Sequence, residues 1–242
     1  MKFPALLIAA ALWVGPTAPD AVAAPLSLDK YVEFFDIVAF GSEIASAHST
    51  TIVRKWPGKV IKFKIAGLAK EAAFYRPQIA KHAKALKTFT GIQFQEIGGR
   101  EPGEDLIFVF ARAKTMMDAG RLLEKDERVL REVSRGNCYF LSYNMPDGRI
   151  VKGLIAVNSE LPRLQIEHCL LEEMAQSMGL RNDSPLVSPS IFNDREKQMS
   201  LTLIDKVLLR TLYDKRMKAG LPRTQALQKA RKIVQSLMKN AN

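Results

Sequence analysis

The sequence is poor in the residues that most metal centres and covalent catalytic sites use. It has three histidines and two cysteines in 242 residues, and His48 and His82 stand in no recognisable ligand spacing. No glycine-rich phosphate loop, G-x-S-x-G element or Cys/His pair in a catalytic context occurs. These absences exclude phosphate-loop nucleotide hydrolysis and the common serine and cysteine hydrolases. Beyond the N-terminus, no apolar run reaches the roughly 20 residues that a membrane-spanning helix needs.

The N-terminus has the three parts of a cleavable signal peptide. Lys2 supplies a positive charge, residues 5–14 form a short apolar run, and Ala21 and Ala23 are the small residues of a cleavage site. The pattern predicts a signal peptide at 1–23 and an exported protein, periplasmic or secreted, that starts at Ala24. An uncleaved N-terminal anchor is the alternative.

The predicted oxidation state of the two cysteines depends on the cellular compartment. In an oxidising compartment Cys138 and Cys169 are expected to form one disulfide. Chain-entropy arguments give such a bond, which closes a loop of about 30 residues, roughly 3–4 kcal/mol of stabilisation. Two buried free thiols are the alternative in the cytosol.

The net charge of +11 is concentrated at the C-terminal end. From Lys206 onward, ten lysines and arginines face one acid, Asp214. Residues 221–242 read as a basic amphipathic helix, with a basic patch at Lys229, Arg231 and Lys232. The patch favours an envelope protein, an anionic envelope polymer or a lipid surface as partner, whereas a solvated helix face is the simpler interpretation. Nucleic acid is not an expected partner of an exported protein.

The order of periodic segments predicts an α+β fold with a helical C-terminal part. Residues 24–49 form an N-terminal helical segment, 50–220 the main domain and 221–242 the basic helix. The predicted helices are 31–47, 70–90, 115–133, 159–178, 201–213 and 222–238. The predicted strands are 50–56, then 60–65 after a Pro-Gly turn, then 92–97, 106–111 and the pair 138–143 and 148–157.

The polar face of the helix at 159–178 holds the candidate catalytic and metal-binding residues. Glu172 and Gln176 stand four residues apart and therefore share a face, with Glu173 beside them and His168 one turn earlier. Two adjacent helix positions diverge by about 100°. For that reason Glu172 and Glu173 are poorly placed to flank a glycosidic bond.

The register of this helix matches the zinc-peptidase pattern H-E-x-x-H-x-x-G-x-x-H. The glutamate that activates water is kept as Glu173, and the glycine is kept as Gly179. The three histidine positions hold Glu172, Gln176 and Asn182.

Three motifs follow one another along the chain: EExxQxxGLxND after Cys169, PSIFND at 189–194 and LLRxLYD at 208–214. With them the chain resembles a family of bacterial exported proteins that carry a domain of unknown function, near the zincin-like peptidases. The resemblance covers roughly residues 50–220 and implies a zincin-like fold, with a twisted mixed sheet, an active-site-type helix at 162–178 and an edge strand near 153–157. It also implies structural turns at Gly179 and at Ser190, Ile191 and Phe192. No established activity comes with the family.

The changed ligand positions lead to two hypotheses. Zinc is not expected, because Glu, Gln and Asn offer only oxygens, which suit calcium or another oxygen-loving cation. In the first hypothesis the protein is a non-catalytic binding or scaffold module of the envelope. In the second it is a divergent metal-dependent peptidase or other hydrolase, with Glu173 as general base and Glu172, Gln176 and Asn182 around an unusual cation.

Overall fold

The computed structural model describes residues 26–45, 49–67, 69–98 and 101–239, so the predicted signal peptide lies outside the described residues. Helices are α1 (Leu28–Phe40), α2 (Ala69–Thr90), α3 (Met116–Gly120), α4 (Glu127–Val133), α5 (Arg163–Gln176), α6 (Leu203–Tyr213) and α7 (Arg223–Lys239). Strands are β1 (Val60–Gly67), β2 (Gln93–Glu96), β3 (Leu106–Ala111), β4 (Cys138–Asn144) and β5 (Ile150–Asn158). Within the described ranges, no helix combines the length and the apolar character that crossing a membrane requires.

The five strands form one mixed sheet in the order β2-β1-β3-β5-β4. Every pair is parallel except β4–β5, which are antiparallel neighbours joined by a tight turn. The predicted mixed sheet and the predicted β4–β5 pair are confirmed. The expectation of an edge strand near 153–157 is wrong, since β5 lies between β3 and β4 and the edge strand is β4. The strand that the resemblance placed at the edge, β5, has β4 as an antiparallel neighbour on its outer side.

Two segments differ from the predicted elements for local reasons. Residues 50–56 do not pair with β1; Ile52 and Lys55 make isolated bridges to Pro222 and Arg149 instead. The Trp56 indole N–H donates to the Ser177 carbonyl at 2.8 Å, which holds this segment against the end of α5. The single helix predicted at 115–133 is two short helices, because the chain turns after α3 and α4 begins anew at its N-cap.

The core lies on both faces of the sheet. On one face α2 and α5 pack over alternating strand residues such as Phe108 and Ile155, and α1, α6 and α7 add to the same apolar cluster. On the other face the short helices α3 and α4 cover a smaller cluster that includes Leu154 and Ala156. Helix α1, predicted to run to Ala47, ends at Phe40, and Gly41 follows it in an extended conformation. The segment after α1 is thereby free to run toward the polar face of α5.

Candidate functional site

Helix α5 holds the candidate residues on a rigid support. Its apolar positions Ile166, Leu170 and Met174 are fully buried against the sheet and α2. The helix ends because Gly179 adopts φ +111°, with its backbone against the Arg54 carbonyl, where a Cβ would lie only 2.1 Å from the oxygen. This close approach places Gly179 at a turn that only glycine tolerates.

A disulfide joins this helix to the edge strand. Cys138 on β4 and Cys169 on α5 are bonded, with their Cα atoms 6.0 Å apart, so the predicted disulfide is confirmed. The Cys138 sulfur lies within 4.8 Å of carboxyl oxygens of both Glu172 and Glu173. A disulfide sulfur is not a thiolate and does not serve as a metal ligand in that form. The bond therefore closes the edge strand over the polar face of α5.

The two adjacent glutamates converge instead of diverging. A carboxyl oxygen of Glu172 and one of Glu173 lie within 4.8 Å of each other. Side-chain rotation brings these two oxygens together although neighbouring helix positions diverge by about 100°, and the prediction that the pair flanks a glycosidic bond poorly stays a prediction.

Two further acids complete what we call the carboxyl cluster, which consists of Glu43, Glu172, Glu173 and Asp183. The side-chain amide of Gln176 donates to Asp183 Oδ1 at 3.0 Å and also to Glu43 Oε1. Asp183 is hydrogen-bonded to both Glu43 and Glu172. Sequence reasoning missed Glu43, which lies 129 positions before Glu172 and carries no local signal. Asp183 directly follows a predicted position, and the ND pair of the motif was the signal that could have found it.

Each acid of the cluster binds its proton unusually tightly. Burial, followed by the negative charges of Glu172 and Glu43, raises the pKa of Glu173 well above its ordinary value. Burial and Asp183 raise the pKa of Glu172 to about 8. Burial also raises the pKa of Asp183, although its hydrogen bonds to Gln176 and to the two glutamates oppose the shift. Glu43 is the most exposed of the four, so solvent screens its upward pKa shift most.

Glu173 is the least satisfied member of the cluster. It is 5% exposed, and its Oε2 atom has no hydrogen-bond partner. No lysine or arginine among the described residues lies within 4.0 Å of a carboxyl oxygen of Glu43, Glu173 or Asp183. Buried polar atoms are nearly always paired, so this oxygen calls for a partner.

A cavity of about 160 Å³ opens beside the cluster. Glu43, Gln176, Arg181 and Cys138 are among the residues that line it. Burial, followed by the nearby Arg54, lowers the pKa of Arg181 to about 10, while the charge of Glu43 acts in the opposite direction. The cavity is the approach from solvent to the Gln176 side of the cluster.

His168 reaches the cluster from the other side. Its Nδ1 lies 2.9 Å from the Gln198 carbonyl, and its Nε2 lies 3.4 Å from Glu172 Oε2. Burial lowers the pKa of this histidine, which favours a neutral ring whose Nδ1–H donates to the carbonyl. His168 therefore fixes the orientation of Glu172.

Asn182 lies apart from these contacts. Its side-chain amide donates to the backbone carbonyl of Asp183 at 2.9 Å, and its side chain packs against Gly41. Its backbone N–H donates to the Val38 carbonyl. Asn182, at the third histidine position of the motif, therefore stabilises the loop, whereas the side chain of Asp183 points into the cluster.

The remaining predicted residues lie outside the cluster. Ser190, Ile191 and Phe192 are fully buried, and the Ser190 hydroxyl donates to Asp205 Oδ1 of α6 at 2.7 Å. In the basic patch on α7, Arg231 pairs with Asp29 of α1 at 2.6 Å, Lys229 is half-buried and Lys232 is exposed.

The cluster does not suit zinc. Zinc sites in proteins rely on imidazole nitrogen and thiolate sulfur, with one carboxylate at most in the common sets. Here the converging donors are carboxyl oxygens and one amide, and the nearby sulfur is oxidised. The histidine contributes one nitrogen at the margin.

The sequence pattern of the DUF2927 family, described as a protein of unknown function, matches residues 29–232. The chain belongs to the DUF2927 family. The match spans α1 to α7, so the expectation of a domain-of-unknown-function family is confirmed. No curated protein matches this DUF2927 chain. Among solved structures, that of myroilysin matches with a TM-score of 0.41 and 12% sequence identity, covering 66% of this chain and 96% of that one.

Proposed function

We propose that this protein is an exported member of a zincin-like fold with altered metal-ligand positions, and that it serves as a non-catalytic binding module of the cell envelope. The observation that carries the proposal is the burial of Glu173 within the carboxyl cluster. Glu173 occupies the general-base position of the motif, and it is 5% exposed beneath an edge strand that a disulfide ties to its own helix. Glu173 is not among the residues that line the cavity beside the cluster.

The electrostatics of Glu173 support the same conclusion. A general base has to be ionised and within hydrogen-bond reach of the proton that it abstracts. Burial of Glu173 and its acidic neighbours raise the pKa of its carboxyl group, which disfavours the ionised form. This shift disfavours Glu173 as a general base and supports the non-catalytic proposal.

The zincin-like fold and the exported location are supported by separate observations. The Glu173 and Gly179 register of the zincin pattern coincides with a helix under the edge of a mixed sheet, which favours the zincin-like assignment. The disulfide is compatible with an oxidising compartment. The predicted signal peptide accounts for export, and we propose that the protein is located in the periplasm.

The binding surface in this proposal is the outer face of α7. Arg223 and Arg231 are paired with Asp36 and Asp29 of α1, which fixes the helix to the body of the protein. Lys229 and Lys232 make no ion pair among the described residues. Their charge is therefore available to an anionic envelope polymer, lipid surface or acidic protein.

A turnover assay tests the non-catalytic role. The oxidised mature protein is incubated with a fluorescently labelled unfolded protein, with added Zn²⁺, Ca²⁺ or EDTA, beside the Glu173→Gln variant. We expect no cleavage above the buffer control in any condition. Cleavage by the wild-type protein that Glu173→Gln abolishes would establish the hydrolase instead. Mass spectrometry of the exported chain tests the predicted cleavage of the signal peptide, and Ala24 is expected as the first residue.

A further inference from the structure

We propose that the carboxyl cluster is a binding site for a divalent cation that prefers oxygen ligands, with Ca²⁺ as the best fit. Glu172 and Glu173 are the central ligands in this proposal, and Asp183 and Glu43 adjoin them in the hydrogen-bonded cluster. The inference rests on the proposed function, because a site that does not catalyse can hold its cation permanently as part of a binding module.

The separation of the carboxyl oxygens suits one shared ion. Two oxygens bound to the same Ca²⁺ at 2.3–2.6 Å lie at most about 5 Å apart. Oxygens of Glu172 and Glu173 lie within 4.8 Å of each other, and both stand on one rigid helix. An ion between them would bridge two neighbouring side chains of one helix.

The unpartnered oxygen of Glu173 is an independent sign of a ligand. A buried carboxyl oxygen without a partner destabilises the folded state, and native proteins seldom keep one. Glu173 Oε2 is such an atom, on a residue that is 5% exposed, and the same carboxyl group faces Glu172. A cation beside Glu172 satisfies this oxygen and neutralises both charges.

The remaining contacts complete an oxygen shell. Gln176 holds Asp183 and Glu43 together through its amide, and Asp183 contacts Glu172. Glu172 and Glu173 supply four oxygens, and Asp183 and water molecules can add the rest of the six to eight that Ca²⁺ takes in flexible geometry. Mg²⁺ is a poorer fit, because it demands a tight octahedron and keeps several waters, whereas Glu173 lies in a dry interior.

The charge balance requires a positive partner of some kind. Among the described residues, His168 beside Glu172 is the only basic group within 4.0 Å of a carboxyl oxygen of the cluster, and Arg181 acts on Glu43 from farther away. Protons shared between the acids are the alternative counter-charge. The experiment must therefore separate a bound cation from shared protons.

Calcium titration of a matched pair of variants makes that separation. The oxidised mature protein is stripped with EDTA and titrated by calorimetry with CaCl₂, MgCl₂ and ZnCl₂, in parallel with thermal unfolding. Glu173→Gln removes the central carboxylate, and Glu167→Gln makes the same change on the same helix outside the cluster. We expect one Ca²⁺ per chain in the wild type and in Glu167→Gln, with a raised Tm. We expect Glu173→Gln to weaken calcium binding on the order of tenfold or more.

The metal-free state gives a second readout that does not depend on binding. In EDTA, Glu173→Gln should melt at the same temperature as the wild type or higher, because it removes a buried acid from the cluster. Circular dichroism confirms the fold of each variant, and Asp183→Asn on the adjoining loop replaces Glu173→Gln if that variant does not fold. A wild-type protein with no saturable response to millimolar Ca²⁺ would overturn the proposal. So would tighter binding of Zn²⁺ than of Ca²⁺, or equal calcium affinity in Glu173→Gln and the wild type.

The two proposals fail separately. Cleavage in the turnover assay contradicts the non-catalytic role and leaves the calcium titration intact. Absence of calcium binding contradicts the cation site and leaves the non-catalytic role intact.

Discussion

The side-chain amide of Gln176 on α5 donates a 3.0 Å hydrogen bond to Asp183 in the loop that follows the helix. The chain reverses between the two residues at Gly179, whose φ of +111° turns the loop back toward the helix. This contact brings Asp183 into the cluster, whereas Asn182 faces the end of α1. The geometry of the site therefore depends on one glycine turn.

Gly179→Ala should destabilise the protein by about 3 kcal/mol or more, because the added Cβ meets the Arg54 carbonyl at 2.1 Å in a conformation that favours glycine. Gly91→Ala is the matched control. Gly91 has φ +73° with nothing within 4 Å of an added Cβ, so its loss should be about 1–2 kcal/mol. Urea unfolding measures both, and equal effects would contradict the steric argument.

Removal of the disulfide should lower the free energy of unfolding by about 3–4 kcal/mol, because the bond closes a loop between residues 31 positions apart. The double variant Cys138→Ser/Cys169→Ser tests this by urea unfolding, and the wild type with a reductant serves as a second arm. A reductant that destabilises the double variant as much as the wild type would point to a cause other than the disulfide.

Asp205→Ala should lower the free energy of unfolding by about 3 kcal/mol or more, because Asp205 holds the turn at residues 190–192. Asp205 is fully buried and accepts hydrogen bonds from the Ser190 hydroxyl, the Ile191 N–H and the Thr202 N–H, all of which lose their acceptor. Asp126→Ala, at the more exposed N-cap of α4, should cost only about 1 kcal/mol. Thermal and urea unfolding of the two variants check the difference.

The burial of His82 should make the protein less stable in mild acid. His82 is 2% exposed, and burial, followed by Lys81, lowers its pKa from 6.5 to about 4. A folded-state pKa below the unfolded one means that the unfolded chain takes up the proton first as the pH falls. The His82 contribution is therefore present above pH 6.5 and is lost toward pH 4.

The difference in stability between the wild type and His82→Gln isolates that contribution. The acids of the cluster change stability in the opposite direction in this range, since their folded-state pKa values are raised, but they are present in both proteins. We expect His82→Gln to lose less stability on acidification than the wild type, by up to about 1.4 kcal/mol per pH unit. Parallel stability curves between pH 6.5 and 4 would contradict the assignment.

Charge reversal on α7 should weaken binding to anionic surfaces. Lys229→Glu/Lys232→Glu is compared with Lys81→Glu/Lys84→Glu, which makes the same charge change on α2. Co-sedimentation with vesicles that contain an anionic lipid should show a clear loss for the α7 variant, a smaller loss for the α2 variant and weaker binding in high salt. Equal losses would indicate attraction by net charge instead of a defined surface.

Local patterns were sufficient for the elements that depend on near neighbours. The periodicity of α5, α6 and α7 and the turn between β4 and β5 are contained in short stretches of sequence. The shared face of Glu172 and Gln176 follows from their i,i+4 spacing alone. The cysteine pairing followed from there being only two cysteines and from the predicted address.

Tertiary structure decided the rest. The position of β5 inside the sheet depends on strand order, which no single segment encodes. Glu43 joined the cluster because α1 stops at Phe40, and Asp183 replaced Asn182 because Gly179 packs against Arg54. The sequence by itself determined which helix carries the acids. Only the packing of distant segments decided that four acids meet there and that Glu173 is buried, because burial and convergence arise from contacts between residues far apart in the chain.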